Sequence, residues 1–233
     1  IPDSVTEIDM YAFRNCTVLN NITIGNGVTI IGNGAFGYCT NLTVVTIPNS
    51  VKTIGIGAFT DCTGLTSIVI PDSVTSSIQP FTFDACRSLT GVTIGNSVKN
   101  IDFAAFRNCT GLTSIRIPNR VKTIGLNAFA YCSGLTSVTI DNGVTSIDFG
   151  AFVDCTGLTS IAIPNSITSI GETAFNGCSS LRRLTVNATT PPTLGNDAIP
   201  TTISAIYVPA ASLNSYKSAT NWSTYASKIQ AIP

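Results

Sequence analysis

Eight cysteines recur at nearly constant spacing along this chain; they are Cys16, Cys39, Cys62, Cys86, Cys109, Cys132, Cys155 and Cys178. Successive cysteines are 23 residues apart at every step except one, which is 24 residues. A fixed period of this length is typical of solenoid proteins, in which each repeat is one coil stacked on the next. The period therefore predicts one elongated body rather than a set of globular domains.

The composition narrows the classes of partner. The chain has 233 residues, a formal net charge of zero and only 10% charged residues. A polyanion needs a cationic field, and the sequence contains no cluster of Lys and Arg, so we do not expect a nucleic-acid partner. No stretch of about 18 apolar residues occurs, so no membrane span is predicted. Ser, Thr and Asn carry most of the polarity, as is common on exported proteins.

Each repeat contains two extended segments joined by a turn. The pattern L-x-x-I-x-I, as in residues 65–70, predicts a short strand with one buried face. Stacked at about 4.8 Å, such strands form a parallel sheet. The pattern V-x-x-I, as in Val121 and Ile124, predicts a second extended segment on the opposite side of the coil. An Asp or Asn suited to tight turns lies between them, at Asp3, Asn26, Asn49, Asp72, Asn96, Asn119, Asn142 and Asn165.

The motif A-F-x-x-C completes each repeat. Its close spacing predicts a single helical or 3₁₀ turn, too short to be a stable helix alone. The phenylalanines of this motif recur at one depth and are predicted to stack as the spine of the core. They are Phe13, Phe36, Phe59, Phe83, Phe106, Phe129, Phe152 and Phe175.

The cysteines allow three interpretations. Zinc sites need ligands clustered as C-x₂₋₄-C, which do not occur here. Disulfides between adjacent coils are feasible in distance, but eight equivalent positions favour no pairing. The favoured interpretation is a column of buried free thiols that fills small spaces behind the phenylalanines.

The chain contains no histidine, which excludes catalytic triads, Cys–His dyads and metal sites that use this residue. A Ser–Lys dyad of the S-x-x-K type is also absent. The carboxylates are scattered, and Asp102 and Asp148, which share a repeat position, lie two coils apart with Gly125 between them. We therefore predict no enzymatic activity, no cofactor and no metal site.

The complete pattern L-x-x-I-x-I-P-x-x-V-x-x-I-G-x-x-A-F-x-x-C occurs in residues 42–62, where Val45 takes the first Ile position. It resembles the 23-residue, Treponema-type leucine-rich repeats of BspA-like bacterial surface proteins. The resemblance covers residues 1 to about 186, and the tail through Trp222 is similar to the closing segment of such proteins. It implies an α/β fold rich in β-strand: a right-handed solenoid of about eight 23-residue coils with a small C-terminal α+β cap. Residues 1–186 would be the solenoid and residues 187–233 the cap of one continuous structural domain.

The same resemblance implies a function. It implies a non-enzymatic protein that is secreted or held at a bacterial surface, with its signal and anchor outside this chain, and that adheres to host matrix proteins or to other cells. Two alternatives stay open. The chain would be a structural spacer that presents another domain, or a glycan-binding module that uses exposed aromatic residues such as Tyr38 and Tyr131.

The departures from the repeat are the best guide to a binding site. Two residues after the isoleucine of V-x-x-I, five neighbouring coils carry an apolar residue where family repeats usually have a polar one. We call this candidate partner-binding set the apolar ridge: Ile56, Pro80, Phe103, Leu126 and Phe149. It would be an exposed interaction site, or its side chains would fold over the neighbouring turn and be partly buried.

Two further irregularities are expected to be structural. The single 24-residue step falls near Ser76 and Ser77 and is predicted to bulge the second extended segment. After Val186 the pattern stops, and one more strand and two short helices are predicted. Their aromatic residues, Tyr216, Trp222 and Tyr225, would cover the open end of the core. A carbohydrate-stacking role for Trp222 is the minor alternative.

Overall fold

A computed structural model describes residues 1–233, which form a solenoid of short parallel strands. The strands are, in chain order, β1 Glu7–Ile8, β2 Asn21–Thr23, β3 Ile30–Ile31, β4 Val44–Thr46, β5 Thr53–Ile54, β6 Ser67–Ile70, β7 Ser77–Ile78, β8 Gly91–Ile94, β9 Asn100–Ile101, β10 Ser114–Ile117, β11 Thr123–Ile124, β12 Ser137–Ile140, β13 Ser146–Ile147, β14 Ser160–Ile163, β15 Ser169–Ile170, β16 Arg183–Val186, β17 Thr193–Leu194, β18 Ala205–Val208 and β19 Ile229–Ala231. One α-helix, α1 (Leu213–Ser218), lies between the 3₁₀ segments Ala210–Ser212 and Trp222–Lys228. None of these helical segments has the length and apolarity needed to cross a bilayer.

The strands lie on two faces of the solenoid. The odd-numbered strands β1 to β17 have two residues each and form the short-strand face, whereas the even-numbered strands and β19 form the long-strand face. Every pairing is parallel and joins equivalent residues of successive coils, as in Ile124 with Ile147 and Ile115 with Val138. The predicted parallel solenoid is therefore confirmed, and the paired long strands extend it to about ten turns.

The core is a single hydrophobic cluster of 66 buried residues between the two faces. Phenylalanine rings from successive coils stack through its centre, with centroids 5.2–5.5 Å apart and planes within 13° of parallel. The seven rings from Phe36 to Phe175 are fully buried, whereas Phe13 in the first coil is partly exposed. The stacking follows directly from the repeat, because an in-register parallel stack places each side chain over its equivalent one coil away.

The A-F-x-x-C segment is not helical, so the prediction of a helical or 3₁₀ turn is wrong. It consists of successive turns with two left-handed residues in each of the first eight coils, such as Asn127 with φ 54° and Tyr131 with φ 62°. Alternate amides bond within the coil and to the next coil: Ala128 N–H donates to Gly125 O, and Phe129 N–H donates to Ala151 O at 2.8 Å. The bonds between coils hold the backbone in the left-handed conformation that local preference disfavours.

The one-residue insertion interrupts the short-strand face. Ser76 forms a bend, and β5 and β7 are not paired, so this face divides into a ladder of three strands and a ladder of six. At equivalent positions, Asp102 N–H donates to Ile78 O and Asp148 N–H donates to Ile124 O, both at 2.9 Å. Gln79 N–H, at the same repeat position, donates to no acceptor.

Residues 187–233, the tail, first add strands β17, β18 and β19 to the two faces and then cover the end of the core. Strand β17 pairs with β15, β18 with β16, and β19 with β18. Tyr216 and Trp222 are fully buried and meet edge to face at 5.1 Å. Their polar atoms are satisfied, since Tyr216 Oη donates to Ala188 O and Trp222 Nε1 donates to Pro192 O, both at 2.7 Å. Because Trp222 is enclosed, it offers no ring face to a sugar.

Candidate functional site

The apolar ridge lies where the short-strand face meets the stack of turns. Its large side chains are exposed: 46% of Ile56, 38% of Phe103, 41% of Leu126 and 46% of Phe149, with Pro80 half-buried between the first two. The residues two positions before and after each of them, such as Ile124 and Ala128, point into the core. The five positions span four coil steps, or about 20 Å.

The backbone at the ridge is tied to the preceding coil. The carbonyl of each ridge residue accepts a bond from the left-handed residue one coil back, as in Ala104 N–H to Leu126 O at 3.0 Å and Asn127 N–H to Phe149 O at 3.0 Å. Ile56 N–H donates to Asn33 Oδ1 at 2.8 Å. The exposed side chains are therefore attached to a hydrogen-bonded backbone. This lowers the conformational entropy that the chain loses when a partner binds.

Phe103, at the middle of the ridge, is supported from behind. Phe81 meets it edge to face with ring centroids 4.8 Å apart. The guanidinium of Arg107 lies 5.4 Å from the Phe81 centroid and binds the buried Asp84 carboxylate through two hydrogen bonds, at 2.7 and 3.0 Å. The Phe81 ring limits the positions that the Phe103 side chain can adopt, and the ion pair holds Arg107 against Phe81.

A shallow groove opens at the C-terminal end of the ridge. It has a volume of about 530 Å³ and is lined by Leu126, Phe149 and residues of β13, β15 and β17. Asp148 also lines the groove, and the next ridge position is taken by the exposed Glu172. The ridge thus ends in an apolar recess beside acidic groups.

The cysteine column offers no reactive thiolate or metal site. Seven thiols are buried and Cys16 is partly exposed, and none forms a disulfide. Each buried thiol donates to the carbonyl of a phenylalanine one coil back, at 3.0–3.2 Å. Burial raises the thiol pKa at Cys132 to about 12 and the pKa of Cys86 and Cys109 well above the usual value. No group of three His, Cys, Asp or Glu side chains is placed to hold a metal ion.

The other sequence candidates do not assemble into a site. Asp102 is partly buried, which raises its pKa, but a hydrogen bond with Ser77 opposes the shift. Tyr38 and Tyr131 are both exposed but lie four coils apart, and Tyr38 is already stacked with Arg14 at 4.9 Å. A sugar that stacks on one tyrosine therefore does not reach the other.

The expectation that the chain lacks a cationic cluster is wrong for the folded molecule. Lys99, Arg120 and Lys122 line one hollow of about 460 Å³ on adjacent coils, together with Asn100 and Asn119. Lys99 and Lys122 are 23 residues apart in sequence, so a search for local runs of basic residues misses them. The signal that finds them is the repeat register, which places both lysines in one column.

Comparison with family models identifies the repeat. Two stretches, residues 1–111 and 76–203, match the model of the BspA type leucine rich repeat region. The chain belongs to the BspA-type leucine-rich-repeat family. This membership agrees with the 23-residue period, and the leucine-rich-repeat solenoid is typically a non-catalytic fold. For a BspA-type protein, membership of this family indicates a role in protein binding or adhesion.

Solved structures of bacterial leucine-rich-repeat proteins resemble this chain in fold. A leucine-rich repeat protein from Eubacterium ventriosum is 30% identical with a TM-score of 0.60, over 68% of this chain and 42% of that chain. The T. pallidum leucine rich repeat protein is 27% identical with a TM-score of 0.52, over 76% and 72%. This chain therefore spans less than half of the E. ventriosum protein. No curated protein matches the chain.

Proposed function

We propose that this chain is a non-enzymatic binding protein, secreted or displayed at a bacterial surface, that adheres to an extracellular protein of a host matrix or a neighbouring cell. The observation that carries the proposal is the exposed apolar ridge on consecutive coils. Contiguous exposed apolar side chains tend to mark interaction sites. The two phenylalanines of the ridge belong to the aromatic residues that are enriched at protein interfaces.

The long-strand face supports the proposal by contrast. Its exposed positions are mostly small or polar, with isolated exceptions such as Val44 and Val69. Threonine hydroxyls at the start of its strands donate to the preceding coil, as in Thr43 Oγ1 to Asn20 O at 2.9 Å and Thr136 Oγ1 to Thr113 O at 3.0 Å. Because these hydroxyls donate hydrogen bonds to the neighbouring coil, fewer hydroxyl groups are free to bond with a partner.

A binding screen tests the proposal. The 233-residue chain is presented to fibrinogen, fibronectin, mucin and a glycan array, with the Phe103→Ser/Phe149→Ser double variant beside it. We expect saturable binding to a protein ligand and its loss in the variant, while thermal unfolding of the two chains stays similar because both side chains are on the surface.

The alternatives make different predictions in the same screen. A spacer that only presents another domain binds none of these ligands. A glycan-binding module binds sugars and keeps that binding in the double variant. Either result, without a protein ligand whose binding the double variant loses, would contradict adhesion to a protein through the ridge.

A further inference from the structure

A second surface, separate from the apolar ridge, carries a cluster of positively charged side chains. We call it the cationic hollow: Lys99, Asn100, Asn119, Arg120 and Lys122. Residues 99–122 contain five cationic residues and one carboxylate, a local excess of four positive charges in a chain with twelve of each sign. The hollow lies at the turn between the long and short strands, and Lys99 precedes the ridge residue Phe103 by four positions in the same coil.

The three cations of the hollow are not neutralised by the protein. The two ion pairs of the molecule join other residues, Arg107 with Asp84 and Arg116 with Asp141. Lys122 Nζ donates to Gly143 O at 3.2 Å, a contact that satisfies one donor without cancelling the charge. The side chains of Lys99, Arg120 and Lys122 are all exposed. An anion bound between them would relieve their mutual repulsion.

The lining of the hollow indicates which kind of anion fits. It contains no hydrophobic or aromatic residue, so it offers no aromatic ring for a nucleobase to stack on. Arg120 presents a planar fork of donors suited to a sulfate or carboxylate, and the lysines act as point charges. The amides of Asn100 and Asn119 can each donate to and accept from hydroxyl groups. Anionic groups flanked by hydroxyls are the chemistry of an acidic polysaccharide.

We propose that the cationic hollow binds an anionic polysaccharide through its sulfate or carboxylate groups. The binding site is independent of the apolar ridge, so the chain has two recognition surfaces. Because the attraction is carried by exposed charges, affinity falls as the salt concentration rises.

The test uses the 233-residue chain with dextran sulfate, polygalacturonate and uncharged dextran as probes. The variant Lys99→Gln/Arg120→Gln/Lys122→Gln removes the charges of the hollow. The matched control Arg87→Gln/Arg183→Gln/Lys217→Gln removes the same number of exposed cations elsewhere. We expect at least a tenfold loss of affinity for the charged polymer in the first variant and less than a twofold change in the control. The Phe103→Ser/Phe149→Ser variant should retain polysaccharide binding, which separates this proposal from the ridge.

Each outcome decides the proposal. Binding of dextran sulfate alone supports a site for sulfate, and binding of polygalacturonate alone supports a site for carboxylate. The proposal is overturned if no charged polymer binds, if uncharged dextran binds equally well, or if both triple variants lose affinity equally. Tighter binding of poly-glutamate or duplex DNA than of either polysaccharide also overturns it, in favour of an acidic peptide or a nucleic acid.

Discussion

At the scale of single residues, the cysteine column shows how one side chain can serve a solenoid without any redox role. Each buried thiol lies over the next and bonds a phenylalanine carbonyl one coil back. Desolvation is the largest cause of the raised pKa at Cys62, Cys86 and Cys109. The protonated thiol, the weaker nucleophile, is therefore the form present near neutral pH.

This arrangement predicts that the native thiols are largely unreactive. At pH 8, an aromatic disulfide reagent should modify at most one thiol of the folded chain, at the partly exposed Cys16, and all eight in denaturant. The variant Cys16→Ser should abolish the native reaction. Rapid modification of several thiols in the folded state would show that the column is open to solvent.

The sequence allowed prediction of these residues because packing in a repeat depends on side-chain type, and the phenylalanines, cysteines and ridge residues recur in fixed columns. The left-handed turn residues were not predictable in this way. Tyr38, Ala85 and Asp154 share a column and a positive φ but no common chemistry. Their conformation is imposed by hydrogen bonds between coils, which depend on the assembled stack rather than on local preference.

At the scale of elements, the insertion at Ser76 interrupts pairing on the short-strand face but not on the long-strand face at the same step. The long strands β6 and β8 pair over four residues across the same step, whereas β5 and β7 do not pair. The insertion is therefore absorbed by the short-strand face, where each strand has only two residues and little pairing is lost.

The break predicts a local weakness that hydrogen exchange can measure. The Gln79 amide, which has no acceptor, should exchange at least tenfold faster than the Asp148 amide at the same repeat position. Deletion of Ser76 restores the 23-residue step and should bring the two rates closer together. Equal protection of Gln79 and Asp148 in the unaltered chain would contradict the interruption.

At the scale of the whole molecule, stability depends on both ends of the stack, because one coil alone buries too little to fold. The tail covers the last coil with Tyr216 and Trp222, whose polar atoms bond to the carbonyls of Ala188 and Pro192. Its two additional long strands were only partly predictable, since the cysteine motif ends at Cys178, although the family match runs to residue 203 and the strands keep the register. The proposal that this segment is the cap rests on these contacts.

Removal of the cap should therefore destabilise the folded chain. Deletion from Ser212 onward is expected to expose the last coil and cause aggregation. The milder Trp222→Ala should lower the free energy of unfolding by about 3–5 kcal/mol, the range for large aromatic residues in a core. Denaturant unfolding followed by circular dichroism measures the change. A truncated chain that stays monomeric and unfolds cooperatively would show that the segment is dispensable.

The two surfaces also belong to this scale, because each is made by register between coils that are distant in sequence. The apolar ridge could be predicted from one column of the repeat. The cationic hollow could not be predicted from local sequence, since it combines Lys99 with Arg120 and Lys122 from the next coil. The solenoid thus presents an apolar surface and a charged surface on the same coils.

Comparison of two matched double variants tests the central claim most directly. Phe103→Ser/Phe149→Ser removes apolar groups from the ridge, and Val44→Ser/Val69→Ser removes side chains that are 50% and 58% exposed on the long-strand face. With the protein ligand found by the screen, we predict at least a tenfold rise in the dissociation constant, about 1.4 kcal/mol, for the ridge variant alone. An unchanged constant in a folded ridge variant, or an equal rise in both variants, would contradict adhesion through the ridge.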